Sequence, residues 1–143
     1  MSFDIRIERL IDTTPELAFD KWVDADARER WYAHDGGTAS AFTDLRVGGE
    51  WWVDFGKGPD EMYREAGVFT IVDRPHKVVY TMVFTFPDGR SFETLTTVTF
   101  EERDGKTLLT LLDAGYPSQE QRDAHAGGWP SFIDAFEREV AAA

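Results

Sequence analysis

Cysteine is absent from this chain of 143 residues. That excludes disulfides, thiol nucleophiles and thiolate metal sites, so a core here must hold by packing alone. Positive charge is also scarce, with 15 Lys and Arg against 27 Asp and Glu and a formal charge of −12. Such a surface repels phosphate backbones and anionic headgroups, which argues against nucleic acid and membranes as partners. The acidity itself reads as solubilising. Histidine is sparse and scattered, at His34, His76 and His125, so no local ligand spacing suggests a metal. There is no long apolar run and no basic-then-apolar leader. No nucleotide-binding glycine loop, His-Glu-x-x-His or Gly-x-Ser-x-Gly motif occurs. The expectation is a soluble cytoplasmic protein with no catalytic signature, no cofactor and no metal.

What the chain does have is apolar bulk, 42% of residues with 11 Phe and 5 Trp, too much for a disordered tail. A single domain over residues 1–143 would bury about two thirds of its surface. Phe3, Ile5 and Ile7 alternate with polar residues and predict a first strand. Asp12-Thr13-Thr14-Pro15-Glu16 follows, with Thr13 and Glu16 spaced as a capping box and Pro15 suited to a first turn. Leu17, Ala18, Phe19 and Trp22 give a short helix its buried side. Asp24 or Asp26 caps a second one, which ends after Trp31-Tyr32 at His34-Asp35-Gly36-Gly37. Beyond residue 39 the period becomes two. Strands are expected at 41–45, 50–55, 62–72, 78–86, 91–100 and 107–112, with Pro87-Asp88-Gly89 and Arg103-Asp104-Gly105 as hairpin turns.

The last stretch, residues 116–140, is helical in pattern. Trp129, Phe132, Ile133, Phe136 and Val140 form one apolar stripe, Pro117 and Ser118 suit its start, and the run Gly127-Gly128-Trp129-Pro130 predicts a kink. All strands precede this helix. Its stripe must therefore cover the antiparallel sheet that their short connections imply.

These residues resemble the activator of heat-shock-protein-90 ATPase homologue-like proteins of the START-like, or SRPBCC, helix-grip superfamily. The resemblance covers nearly the whole chain. It rests on Ile11-Asp12-Thr13-Thr14-Pro15 before Phe19-Asp20-Lys21-Trp22, on Trp31-Tyr32, on Asp44-Leu45-Arg46-Val47-Gly48-Gly49, on Gly67, Arg74-Pro75 and Val78-Val79-Tyr80-Thr81, and on Gly128-Trp129. Members often carry two tryptophans at Trp31-Tyr32 and a Pro-Asp-Gly loop where this chain reads Gly58-Pro59-Asp60-Glu61. The resemblance implies an α+β helix-grip fold: a curved antiparallel sheet wrapped around a long C-terminal helix, with two short helices after the first strand.

A space between sheet and helix is the natural site. Trp31, Trp52, Tyr63, Tyr80, Met82 and Trp129 are expected around it, and His125, one turn before Trp129, is its expected polar contact. Asp44, Arg46, Gly48 and Gly49 are read as a structural motif that pins a bend. Glu65 and Glu93 fall among apolar residues; solvated positions are the ordinary expectation, while an inward pair would have raised pKa values suited to acid/base work. The function expected is non-catalytic binding of a small hydrophobic or amphipathic molecule by a monomer or homodimer. One alternative is a co-chaperone-like module with a protein partner. Another is a cyclase or hydrolase using His125 with Glu65 or Glu93.

Overall fold

The computed structural model describes residues 3–143. In chain order these form β1 (Phe3–Ile11), α1 (Pro15–Val23), α2 (Ala25–Tyr32), β2 (Thr38–Thr43), β3 (Glu50–Gly56), β4 (Met62–Asp73), β5 (Lys77–Thr85), β6 (Ser91–Arg103), β7 (Lys106–Tyr116) and α3 (Gln119–Ala141). The strands make one seven-stranded antiparallel sheet in the order β1-β7-β6-β5-β4-β3-β2. From β2 to β7 each strand pairs with its successor, as hairpin-length connections require. β1 alone pairs far along the chain, with Ile11 opposite Thr107 and Phe3 opposite Tyr116. This is the α+β helix-grip fold.

Local chemistry explains the ends of the elements. Thr14, not Thr13, caps α1: its hydroxyl accepts from the Leu17 N–H and Pro15 follows at the first turn. The capping box expected from Thr13 and Glu16 does not form: with the cap at Thr14, Leu17 and not Glu16 stands at the third helical position. Asp24 caps α2 by accepting from the Ala27 N–H, and Ser118 caps α3 by accepting from the Gln121 N–H. α3 stays helical through residues 127–130 with Pro130 inside it.

Three strands differ most from expectation, one of them β6, which runs three residues past Phe100 to Arg103. The strand expected at 41–45 is Thr38–Thr43, since the chain turns at Asp44, where the N–H bonds to the Glu50 carbonyl and the Arg46 N–H to the Asp44 carbonyl. The last strand runs four residues past Leu112 to Tyr116, because β1 and β6 pair with it on both sides as far as Ala114 and beyond. Tyr116 therefore belongs to the sheet and not to the helix.

The inward face of the sheet carries Trp51 and Val53, Phe69, Tyr80 and Met82, Val98 and Phe100, and Leu109 and Leu111, all buried. α1 and α2 close one end of this face and α3 lies across it. Trp22 joins the helices to the sheet: its ring lies 5.0 Å from Trp31 and 5.0 Å from Phe136, and its indole N–H donates to the Tyr80 hydroxyl at 3.0 Å. Rings packed edge to face in this way add to plain burial. Arg9 on β1 bonds Asp134 and Glu137, and Arg30 on α2 holds Glu139 with two nitrogens, so α3 is oriented from both sides.

Close backbone approach settles two glycines. A Cβ at Gly67 would stand 1.8 Å from the Thr81 carbonyl oxygen, and one at Gly49 would stand 2.0 Å from that of Asp44. Neither position admits a side chain without moving main chain.

Candidate functional site

Beneath α3, at the end of the sheet away from α1, lies a cavity of about 270 Å³. Tyr32 from α2, Phe55 from β3, and Tyr63 and Glu65 from β4 form one wall. Met82 and Phe84 from β5, with Phe86 just beyond it, form the floor. Gln121, Ala124, His125, Gly128, Trp129 and Phe132 roof it from α3. The period-two faces of β3, β4 and β5 bring Phe55, Tyr63 and Phe84 together; ring centres of Phe55 and Tyr63 are 5.8 Å apart, those of Tyr63 and Phe84 5.6 Å. On the helix side Phe132 packs 5.2 Å from Tyr32 and 5.8 Å from Phe55. Gly128 contributes room: a Cβ there would meet nothing within 4 Å.

Few polar groups reach this space. Glu65 is 8% exposed, and its Oε1 accepts from the Tyr32 hydroxyl at 2.6 Å. Burial raises its pKa to about 7, opposed by the Tyr32 hydrogen bond and by the positive charge of Arg28. The same burial, with the Glu65 charge beside it, pushes the Tyr32 phenol well up. Burial lowers the pKa of His125 against the pull of the Gln121 carbonyl and of Asp113, so the ring is neutral at pH 7. Its Nδ1 lies 3.1 Å from the Gln121 side-chain nitrogen, and its ring stands edge to face on Phe84 at 4.5 Å. Nδ1 also lies 3.4 Å from the Gln121 carbonyl oxygen, so it accepts from the side chain in one tautomer and donates to the carbonyl in the other.

Behind this layer sit two further buried charges. Asp113 on β7 accepts from the Thr96 hydroxyl at 3.1 Å and from the Tyr116 hydroxyl; burial raises its pKa although those bonds oppose it. Arg28 on α2, fully buried, donates from Nε to the Trp22 carbonyl at 2.6 Å and lies over the rings of Trp51 at 4.6 Å and Tyr80 at 5.4 Å. Its two terminal nitrogens have no partner among the described residues.

Of the residues anticipated around the space, Tyr63, Met82, His125 and Trp129 line it. Trp31 and Tyr80 do not: both are core, Trp31 against Trp22 and Phe136, Tyr80 beneath Arg28. Trp52 faces the other way, stacked on Phe42 with Arg64 over its ring. Its register dictates this, since Trp51 and Val53 occupy the inward phase. Asp44 and Arg46 form an exposed ion pair at 2.9 Å on the bend between β2 and β3, beside Gly48 at φ +83°. Glu93 is exposed on the outer face, whereas Glu65, expected to be solvated, is buried.

Sequence reasoning passed over Asp113 and Arg28. Asp113 is in phase with buried Leu109 and Leu111, but it lies past Leu112, where the apolar alternation that marks the strand in the sequence stops. For Arg28 the only hint is a position one turn before Tyr32 on the same helix face. Among the described residues no group of His, Asp and Glu could hold a metal ion, and no helix is long and apolar enough to cross a membrane.

Comparison with known proteins agrees with this geometry. No curated protein matches. An AHSA1 protein from Silicibacter pomeroyi shares 26% identity and a TM-score of 0.82 over 97% of this chain and 98% of that one. A Chromobacterium violaceum protein superposes with a TM-score of 0.85 at 20% identity over 96% of each chain. A Mycobacterium smegmatis protein does so at 0.79 and 22%, over 98% of this chain and 89% of that one. At the latter two identities the likeness establishes fold alone. The family model described as "Activator of Hsp90 ATPase homolog 1-like protein" matches residues 12–141, from the cap of α1 to the end of α3, and the chain therefore belongs to that family of the START-like superfamily.

Proposed function

We propose that this protein binds a small hydrophobic or amphipathic molecule in the cavity under α3. The observation that carries this is the wall itself: aromatic rings from β3, β4, β5 and α3 line about 270 Å³ onto which a buried carboxylate and a neutral imidazole face. Apolar walls supply affinity, and a few fixed polar groups supply orientation. At about 30 Å³ per water in the liquid, the space corresponds to roughly nine waters. A compact occupant of about ten non-hydrogen atoms suits it.

The test is native mass spectrometry of freshly purified protein before and after organic extraction, followed by thermal denaturation with the extracted material added back. A bound species should leave on extraction and raise the melting temperature with concentration when restored. Protein that emerges empty, and that no compact amphipathic compound stabilises, would sink the proposal.

A second function, a co-chaperone-like module, draws on the outer face of the sheet, where Val68, Ile71, Leu95 and Leu112 are exposed. It predicts that charged substitutions there abolish capture of a protein partner and leave the cavity untouched.

A further inference from the structure

We propose that the occupant of the cavity carries a protonated amine, its ammonium seated on the free oxygen of Glu65 inside the aromatic wall. This rests on the cavity-binding function above and narrows its ligand class. The Glu65 carboxylate is half used: Tyr32 holds Oε1, and Oε2 has no partner among the described residues. Around it stand the rings of Phe55, Tyr63, Phe84, Trp129 and Phe132. Aromatic faces attract ammonium groups at short range, most strongly where water is excluded.

Charge balance points the same way. The buried interior holds the carboxylates of Glu65 and Asp113 and one guanidinium, Arg28. Arg28 forms an ion pair with neither; it is spent on the Trp22 carbonyl and the rings of Trp51 and Tyr80. His125 is neutral at pH 7. With both acids ionised the interior lacks one positive charge, and an ammonium restores it. At long range, a formal charge of −12 concentrates organic cations and repels carboxylates.

The proton balance follows. In the empty protein Glu65 titrates near 7, and an ammonium selects its ionised form. Binding below that pH expels a proton, so affinity falls by up to about tenfold per pH unit as the solution is acidified. Protonation of Asp113 or His125, the other titratable groups near the site, weakens an ammonium in the same direction. The Tyr32, Tyr80 and Tyr116 phenols, all pushed up, do not titrate in this range.

The experiment compares 2-phenylethylamine, 2-phenylethanol and phenylacetate by calorimetry on extracted protein, since these probes match the cavity in size and differ in head group. The expected result at pH 8 is amine binding at least about tenfold tighter than alcohol, with phenylacetate weakest. The amine advantage shrinks below pH 6 and drops to within about threefold in Glu65→Gln, which still binds the alcohol. Equal binding of amine and alcohol by the native protein overturns the amine assignment and leaves cavity binding standing. Tighter binding of phenylacetate does the same and turns attention to the unpartnered nitrogens of Arg28. If none of the three binds, the amine assignment falls, and cavity binding itself is decided by extraction and add-back as above. A Glu65→Gln protein that keeps the full amine preference also overturns the proposal.

Discussion

Replacing Glu65 by Gln removes a buried titration and little else. The amide is nearly isosteric, and its oxygen still accepts from the Tyr32 hydroxyl. In the folded protein the carboxyl titrates near 7, in the unfolded chain near the ordinary 4.5. The folded pKa is the higher, so between these values the native state binds more protons than the unfolded one, and stability falls as pH rises. At about 1.4 kcal/mol per tenfold change, ionising this group in the native protein costs roughly 3 kcal/mol once pH exceeds 7. Urea denaturation of extracted native and Glu65→Gln proteins at constant ionic strength, from pH 5 to pH 8, isolates that quantity. His125 is common to both proteins and cancels in the difference, whereas the charge of Asp113, which helps to raise the Glu65 pKa, is already contained in that shift. The stability of Glu65→Gln relative to the native protein should climb by about 2–3 kcal/mol across this range, mostly between pH 5 and 7. A difference that stays flat, or declines with pH, would refute the burial of an unpaired carboxylate and remove the electrostatic basis of the cavity's selectivity.

Other substitutions probe the remaining parts. Gly128→Ala fills open space on a helix, so denaturant midpoints should show about 0.5–1 kcal/mol of added stability, while the narrowed cavity binds its larger ligands less well. Gly67→Ala drives a methyl into the Thr81 carbonyl and should destabilise by at least about 1–3 kcal/mol in the same assay; a neutral result would contradict the close approach of β4 and β5. Tyr116→Phe strips Asp113 of a hydrogen bond and should lower stability at pH 7 by about 1–3 kcal/mol, less at pH 4, where a carboxyl raised by burial is more nearly protonated. Trp52→Ala, on the outer face, should leave calorimetric affinity for cavity ligands unchanged, whereas Phe132→Ala should weaken it.

Much of the architecture was legible because it depends on short-range patterns. The stripe from Trp129 to Val140, the turns at Asp88-Gly89 and Asp104-Gly105, and the aspartate cap of α2 each carry their own local signal, and every one lies where expected. The site was less legible because it depends on phase. Alternation assigns a residue to one of two faces, but polarity biases that assignment outward, and Glu65 and Asp113 run against the bias while keeping step with Phe69 and with Leu111. Trp52 erred in the opposite sense: its size suggested a wall, yet its phase opposes that of Trp51. Trp31 and Tyr80 show a further limit. An inward aromatic either lines a space or fills it, and only the packing of Trp22 between them decides which.

The pairing of β1 with β7 bears on how the chain comes off the ribosome. Every other strand finds its neighbour within a hairpin of its own making, so β2 to β7 can zip together as they emerge. The first strand has no such partner. Ile5 and Ile11, buried in the finished sheet, wait until Asp113 and Thr107 have been synthesised before they are covered. For that interval the nascent chain presents an unpaired apolar edge, the state in which contacts distant in sequence delay folding and invite association. Vectorial synthesis thus delays the closing of the sheet until β7 has emerged, and the seating of α3 through Arg9 until α3 has followed it.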